Sequence, residues 1–213
     1  MALAVAVLFN PIWVGIGQSH AESGLKTGYG PDDLKAATDS ILADLVFGPP
    51  DFDVQVLGQP VLNDAERGHM RDVRTVFIGF AGLTLIALVL MIVARLASRG
   101  SVRFWKRVRR GAKVTAVITI ALGLTGAVAF DSMFQLFHEL LFPGGNFNFD
   151  PNTERLVQLF PEQFWLETTL VLGGVIVVLS YLVVRWAGRH IPARAKSAAV
   201  ASGRTVAPGR PAG

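Results

Sequence analysis

The chain has 213 residues, 51% of them hydrophobic and 17% charged, with 20 basic against 16 acidic side chains and no cysteine. The lack of cysteine excludes a disulfide framework, a thiol nucleophile and thiolate metal sites. The basic balance calls for no nucleic acid partner, because residues 75–94, 114–130 and 168–184 contain no Asp, Glu, Lys, Arg or His, and stretches that long match the hydrocarbon core of a bilayer.

In chain order, residues 1–17 form a first apolar stretch interrupted by Asn10-Pro11. A short first span, a span whose start is missing and a signal peptide all fit it. A first span is preferred, since such kinks are tolerated in membranes and no basic n-region is present. Residues 18–72 follow as a polar segment. Pro31 and Asp32 open a helix there, Leu34, Thr38, Ile41, Leu42, Leu45 and Val46 recur at helical spacing, and Gly48-Pro49-Pro50 ends it. Its polar face is acidic, which favours packing on the spans over lying among lipid headgroups. Residues 54–62 read as a short hairpin. Asn63 with Glu66 three residues on forms a capping box, from which helical periodicity runs unbroken to residue 97.

A span is expected over 73–97, a basic loop over 98–113, a span over 114–138, an apolar turn-rich loop over 139–166, a span over 167–187 and a disordered basic tail over 188–213. Fourteen of the twenty basic residues lie in 95–113 and after residue 184, where there is no acid. By the positive-inside rule these segments face the cytoplasm, so 18–72 and 139–166 lie outside. The expected fold is an all-α membrane protein, a four-span helical bundle with a short or truncated first span and a small extracytoplasmic cap.

Two histidines sit at matching depth. His69 precedes the first lipid-level residue by about 6 Å of helix, flanked at i−3 and i+3 by Glu66 and Asp72, either of which can fix its tautomer. Asp131, Gln135 and His138 fall at i, i+4 and i+7 and form a polar stripe on the expected span over 114–138. Polar groups at that depth face protein or water, so the stripe should point into the bundle. His20 and His190 show no such context. Phe142, Phe147 and Phe149 are a heavy apolar load for a loop with Gly144-Gly145 and Asp150-Pro151 turns, and a short helix should begin at Pro151-Asn152-Thr153. His138-Glu139 begins like the zinc-protease HExxH, but residue 142 is Phe. No metal or cofactor is expected.

Residues 63–73 (NDAERGHMRDV, with its HM-x-DV core) and 137–165, from FH-x-L-x-F through PGGNFNFDP to LFPEQFW, closely resemble the lipoprotein intramolecular transacylase (Lit) family of bacterial membrane proteins. The resemblance covers about residues 31–187, whereas the N-terminus departs from a pattern with a longer first span. It implies four spans and carries the family's two functional histidines onto His69 and His138. It implies further that the sn-2 acyl chain of a lipoprotein's S-diacylglyceryl-cysteine moves to that cysteine's α-amino group, giving the lyso-form. The partners implied are bacterial lipoproteins and membrane phospholipid.

That chemistry suits the residues. Donor ester and acceptor amine share one molecule, so orientation supplies much of the catalysis, one histidine can take a proton and the other can give one. His138 is read as base and His69 as acid or oxyanion donor, with the reverse nearly as well supported. Asp72 and Asp131 are orienting candidates, and Asn146 and Gln163 are candidate contacts to the lipid head. The competing readings are a non-catalytic envelope scaffold and a lipid hydrolase, which replacement of the histidines and release of free fatty acid would tell apart.

Overall fold

The structure is a computed structural model that describes residues 10–192. Helix α1 (Pro11–His20) starts where a kink was expected. The Asn10 side chain accepts the N–H groups of Ile12 at 2.9 Å and Trp13 at 3.4 Å, and Pro11 occupies the first turn. Asparagine as N-cap followed by proline is a helix start, because proline has no N–H to leave unpaired. The remainder of the expected first span, residues 1–9, lies outside the described residues, as does most of the expected disordered tail, residues 193–213.

After the short helix α2 (Ser23–Thr27), α3 (Pro31–Val46) buries Ala37, Thr38, Ile41 and Leu45 on the face that the periodicity marks. That face packs into a core with Val14, Phe52, Leu62, Met70, Leu159 and Phe164, as the acidic polar face suggests. Arg74 holds the end of α3, donating to the carbonyl oxygens of Asp44 and, at 2.7 Å, of Gly48. Burial and the nearby Asp51 charge raise the Asp44 carboxyl above its ordinary value, against the opposing pull of Arg74. The expected hairpin forms from β1 (Gln55–Val56) and β2 (Gln59–Pro60), antiparallel, with Leu57 and Gly58 both at positive φ between them.

Helix α4 (Asp64–Ala97) begins with the complete capping box and continues for 34 residues, about 50 Å at the standard rise. Helix α5 (Val102–Val128) follows after a turn of four residues. Most of the basic segment expected as a loop is therefore helical. Trp105 and, more partially, Val102 and Val108 pack against Ala187 and Ile191, which gives the basic stretch an apolar seam to fold on.

Helix α5 also ends earlier than the sequence suggests. Ala129 (φ −142°, ψ 44°) breaks the helix, and α6 (Phe130–Leu141) starts afresh. No proline or glycine stands at the break. Ala129 closes α5 with its N–H on Thr125 and opens α6 with its carbonyl to Met133, and Asp131 sits in the new first turn, where a carboxylate favours the helix N-terminus. A short helix α7 (Arg155–Leu159) and the long α8 (Glu162–Arg189) complete the described chain.

Among the described residues three helices, α4, α5 and α8, are long and apolar enough to cross a membrane. Helices α5 and α8 form the most extensive helix pair. The most apolar 18-residue stretch of α4 has no buried residue, and Leu83, Leu85, Ile86, Leu90 and Val93 present an apolar surface suited to lipid. At the α4 N-terminal end, α1 docks on α8. Trp13 Nε1 donates to Thr168 Oγ1 at 3.1 Å, and Gly17 lies so close to the Phe164 ring that a Cβ would stand 2.8 Å from it.

Candidate active site

His69 and His138 meet. One is held on α4 and the other on α6, both are buried, and their rings lie 6.0 Å apart between centroids at 25°. Phenyl groups enclose them. Phe142 and Phe149 approach His69 edge-on at 4.9 and 5.5 Å, while Phe134, Phe137, Phe142 and Phe147 surround His138 at 4.1 to 5.6 Å. The apolar load of the 142–149 loop is thereby explained: the loop wraps the histidines. Phe134 belongs to the same shell, and its position one turn before His138 was the available signal for it.

The carboxylates around the pair have diverged in role. Glu66 shares a helix face with His69 yet is committed elsewhere: its Oε2 accepts the Asn63 N–H at 2.7 Å and its Oε1 accepts the Leu156 N–H at 2.6 Å. It fastens α7 to the start of α4, and the task of facing His69 falls to other groups. Asp72 accepts a hydrogen bond from Asn146 Nδ2 at 2.7 Å. So the structure gives Asn146, expected as a lipid-head contact, a protein partner in Asp72, one helical turn on from His69.

The stripe expected to face the bundle interior is buried only at His138. Asp131 and Gln135 are exposed: Asp131 meets the Glu162 carboxyl, and Gln135 donates to Glu139 at 2.9 Å. The break at Ala129 is the reason, since it sets α6 off as a short separate helix that buries His138 alone of the three. Gln163 is also removed from the histidines in its bonding: it donates to Glu167 at 3.0 Å, and Glu167 in turn pairs with His20 at 2.9 Å. His20 thus has a partner that the sequence did not suggest, and so does His190, stacked on Trp105.

His138 is oriented by its own helix. Its Nδ1 lies 2.8 Å from the Phe134 carbonyl oxygen. A carbonyl only accepts, so Nδ1 carries the hydrogen and Nε2 of the neutral ring presents a lone pair. In the motif loop, hydrogen bonds from the Asn152 backbone and side chain hold the Asp150 carboxyl below its ordinary value. The turn they form delays α7 to Arg155, four residues after the expected start. Chemically, the enclosure offers two imidazoles side by side in apolar surroundings, one with its tautomer fixed, at one end of membrane-crossing helices.

No curated protein matches the chain. Two solved structures do, both of the membrane-integral lipoprotein intramolecular transacylase of Bacillus cereus. One shares 22% identity at a TM-score of 0.70 and covers 88% of each chain. The other, carrying a histidine-to-arginine substitution, shares 20% identity at a TM-score of 0.70 and covers 94% of this chain and 87% of that one. At such identities the likeness establishes the fold. The family described as lipoprotein intramolecular transacylase Lit matches over residues 2–165, which takes in α1 to α7 and both histidines. The protein belongs to the lipoprotein intramolecular transacylase family and is a membrane-integral acyltransferase.

Proposed function

We propose that the protein moves the sn-2 acyl chain of a lipoprotein's S-diacylglyceryl-cysteine to that cysteine's α-amino group, leaving a lyso-form lipoprotein. The observation that carries this reading is the pair of buried, nearly parallel histidine rings 6.0 Å apart, walled by phenyl groups at one end of α4. In the reaction a C–N bond forms at the ester carbonyl and the C–O bond to the glyceryl group breaks. A proton passes in net from nitrogen to oxygen, which requires no co-substrate.

His138 serves as base: its Nε2 takes the proton that the amine sheds on attack. His69, when protonated, donates to the developing oxyanion and then to the departing glyceryl oxygen. The proton then returns from His138 to His69, restoring both. The phenyl walls keep water from competing with the amine and confine the flexible diacylglyceryl group, so that ester and amine meet without a second molecule. The charge distribution supports an orientation with the histidine end extracytoplasmic and the basic α4–α5 turn and C-terminus cytoplasmic. Bacterial lipoproteins with diacylated N-termini and the surrounding phospholipid are the partners that this orientation serves.

The test is mass spectrometry of the N-terminal lipopeptide of a co-expressed lipoprotein, in a host lacking other N-acylating enzymes. An N-acyl, monoacylglyceryl peptide should appear with the unaltered protein and disappear with His138→Ala. An unchanged diacylglyceryl peptide with the inserted, unaltered protein would refute the reading, and release of free fatty acid would replace it with a hydrolase.

A further inference from the structure

Beside the histidine pair two buried polar atoms lack a hydrogen-bond partner, His69 Nδ1 and Asn146 Oδ1. Buried polar atoms are nearly always paired, so two orphans in one enclosure call for a common explanation. Asn146 is brought to this enclosure by its bond to Asp72, one helical turn on from His69, and by Phe147 and Phe149, which meet the His138 and His69 rings. Behind Asn146 stands the carboxyl of Asp72. The Asn146 Nδ2–H faces it, as the 2.7 Å bond records. One Nδ2–H is thus committed, and the atom of the amide left unpaired is its Oδ1 acceptor, whose matching group on an imidazole is an N–H.

We propose that Asn146 is a positioning residue that links Asp72 to His69: its Oδ1 accepts Nδ1–H, fixing the tautomer and turning Nε2 to the substrate. The link has a chemical consequence. A His69 imidazolium is backed, through one amide, by the Asp72 carboxylate, whereas His138 is backed only by the Phe134 carbonyl. A carboxylate steadies the protonated ring more than a neutral carbonyl does, which offsets part of the cost of protonating the buried His69 ring and suits it to the donor role. Free structures commonly show catalytic hydrogen bonds long, tightening when substrate fills the site. The proposed Nδ1–Oδ1 bond closes in that way when substrate binds.

The proposal deepens the transacylase reading, on which its kinetic part rests; its spectroscopic part does not. Nitrogen-15 NMR of the full chain, histidine-labelled and in lipid nanodiscs, reports the tautomer of each ring, with His69 assigned by its loss in His69→Gln. The unaltered protein should show His69 with its proton on Nδ1, and Asn146→Ala should give a mixture of tautomers while His138 stays unchanged. Acyl transfer by Asn146→Ala should fall about 10- to 100-fold in kcat, the range for removing a group that orients a histidine, with KM nearly constant. The isosteric Asp72→Asn guards against simple misfolding and should lower kcat in the same sense. At a pH where the His69 ring is neutral, a proton on Nε2 alone in the unaltered protein overturns the proposal, as does a single tautomer retained in Asn146→Ala, whatever the rate. Failure of acyl transfer by a protein with the expected tautomer would sink the transacylase reading alone.

Discussion

Both ends of the molecule wrap a histidine in aromatic rings, and the two enclosures differ in kind. At the basic end His190 stacks on Trp105 at 4.2 Å and 15°, Trp186 closes edge-on at 5.4 Å, and the Arg95 guanidinium lies 5.5 Å over the Trp105 ring. There Trp105 is the buried member and His190 is exposed. At the other end the histidines themselves are buried, there are two of them, and the walls are phenyl rings with no polar group of their own. Aromatic enclosure is therefore a packing device that serves both ends. A reactive end needs ring nitrogens withheld from water yet aimed at a shared space. The largest expected effect separates the two: His138→Ala should reduce acyl transfer by about 10²-fold or more, the range for losing a positioned acid or base. His190→Ala should leave the rate within about twofold, as expected of an exposed side chain outside the site. Lipopeptide mass spectrometry over a time course measures both, and equal losses would erase the distinction.

Much of this was legible in the sequence because long-range structure here is written in local patterns. The capping box at Asn63, the unbroken run to Ala97 and the short hairpin over 54–62 each depend on neighbours within a few residues. The histidine pair was legible as two depths that agree. What escaped were features decided by distant partners. The break at Ala129 has no glycine or proline to announce it, so a stripe drawn through Asp131, Gln135 and His138 assumed one continuous helix. The basic segment read as a loop because its charges outweigh Trp105, whose seam exists only against α8. Spacing alone puts both Glu66 and Asp72 within reach of His69. Only the packing of the motif loop shows that Leu156 claims one and Asn146 the other.

Two stability measurements sharpen the contrast between the ends. Trp105→Ala should lower stability by about 3–5 kcal/mol, since it empties the buried centre of the basic-end cluster, while leaving the tautomers of His69 and His138 as they are. Glu66→Ala should cost less, about 2–3 kcal/mol, for two backbone N–H groups left without their charged acceptor. It should also slow acyl transfer, because the loop it anchors carries the phenyl walls. Thermal unfolding in detergent, paired with the lipopeptide assay, reads stability and rate together. If Trp105→Ala disturbed the histidines, the two ends would be one coupled unit rather than two.

The smallest effect has the opposite sign and tests how far the histidine site reaches into the structure around it. Leu57 sits at φ 53° beside Gly58 at φ 73°, and its side chain is 84% exposed. A two-residue turn with both φ angles positive favours Asn-Gly, and a leucine held there pays with backbone strain. Nothing in the exposed leucine side chain compensates for it. Leu57→Asn should therefore raise stability by about 1 kcal/mol, visible as a higher unfolding temperature. The hairpin meets α3 but makes no bond to His69, His138 or Asn146 among the described residues, so acyl transfer should be unchanged. A changed rate in this variant would mean that the hairpin bears on the reaction, and that the reactive region extends well beyond the rings that enclose the two histidines.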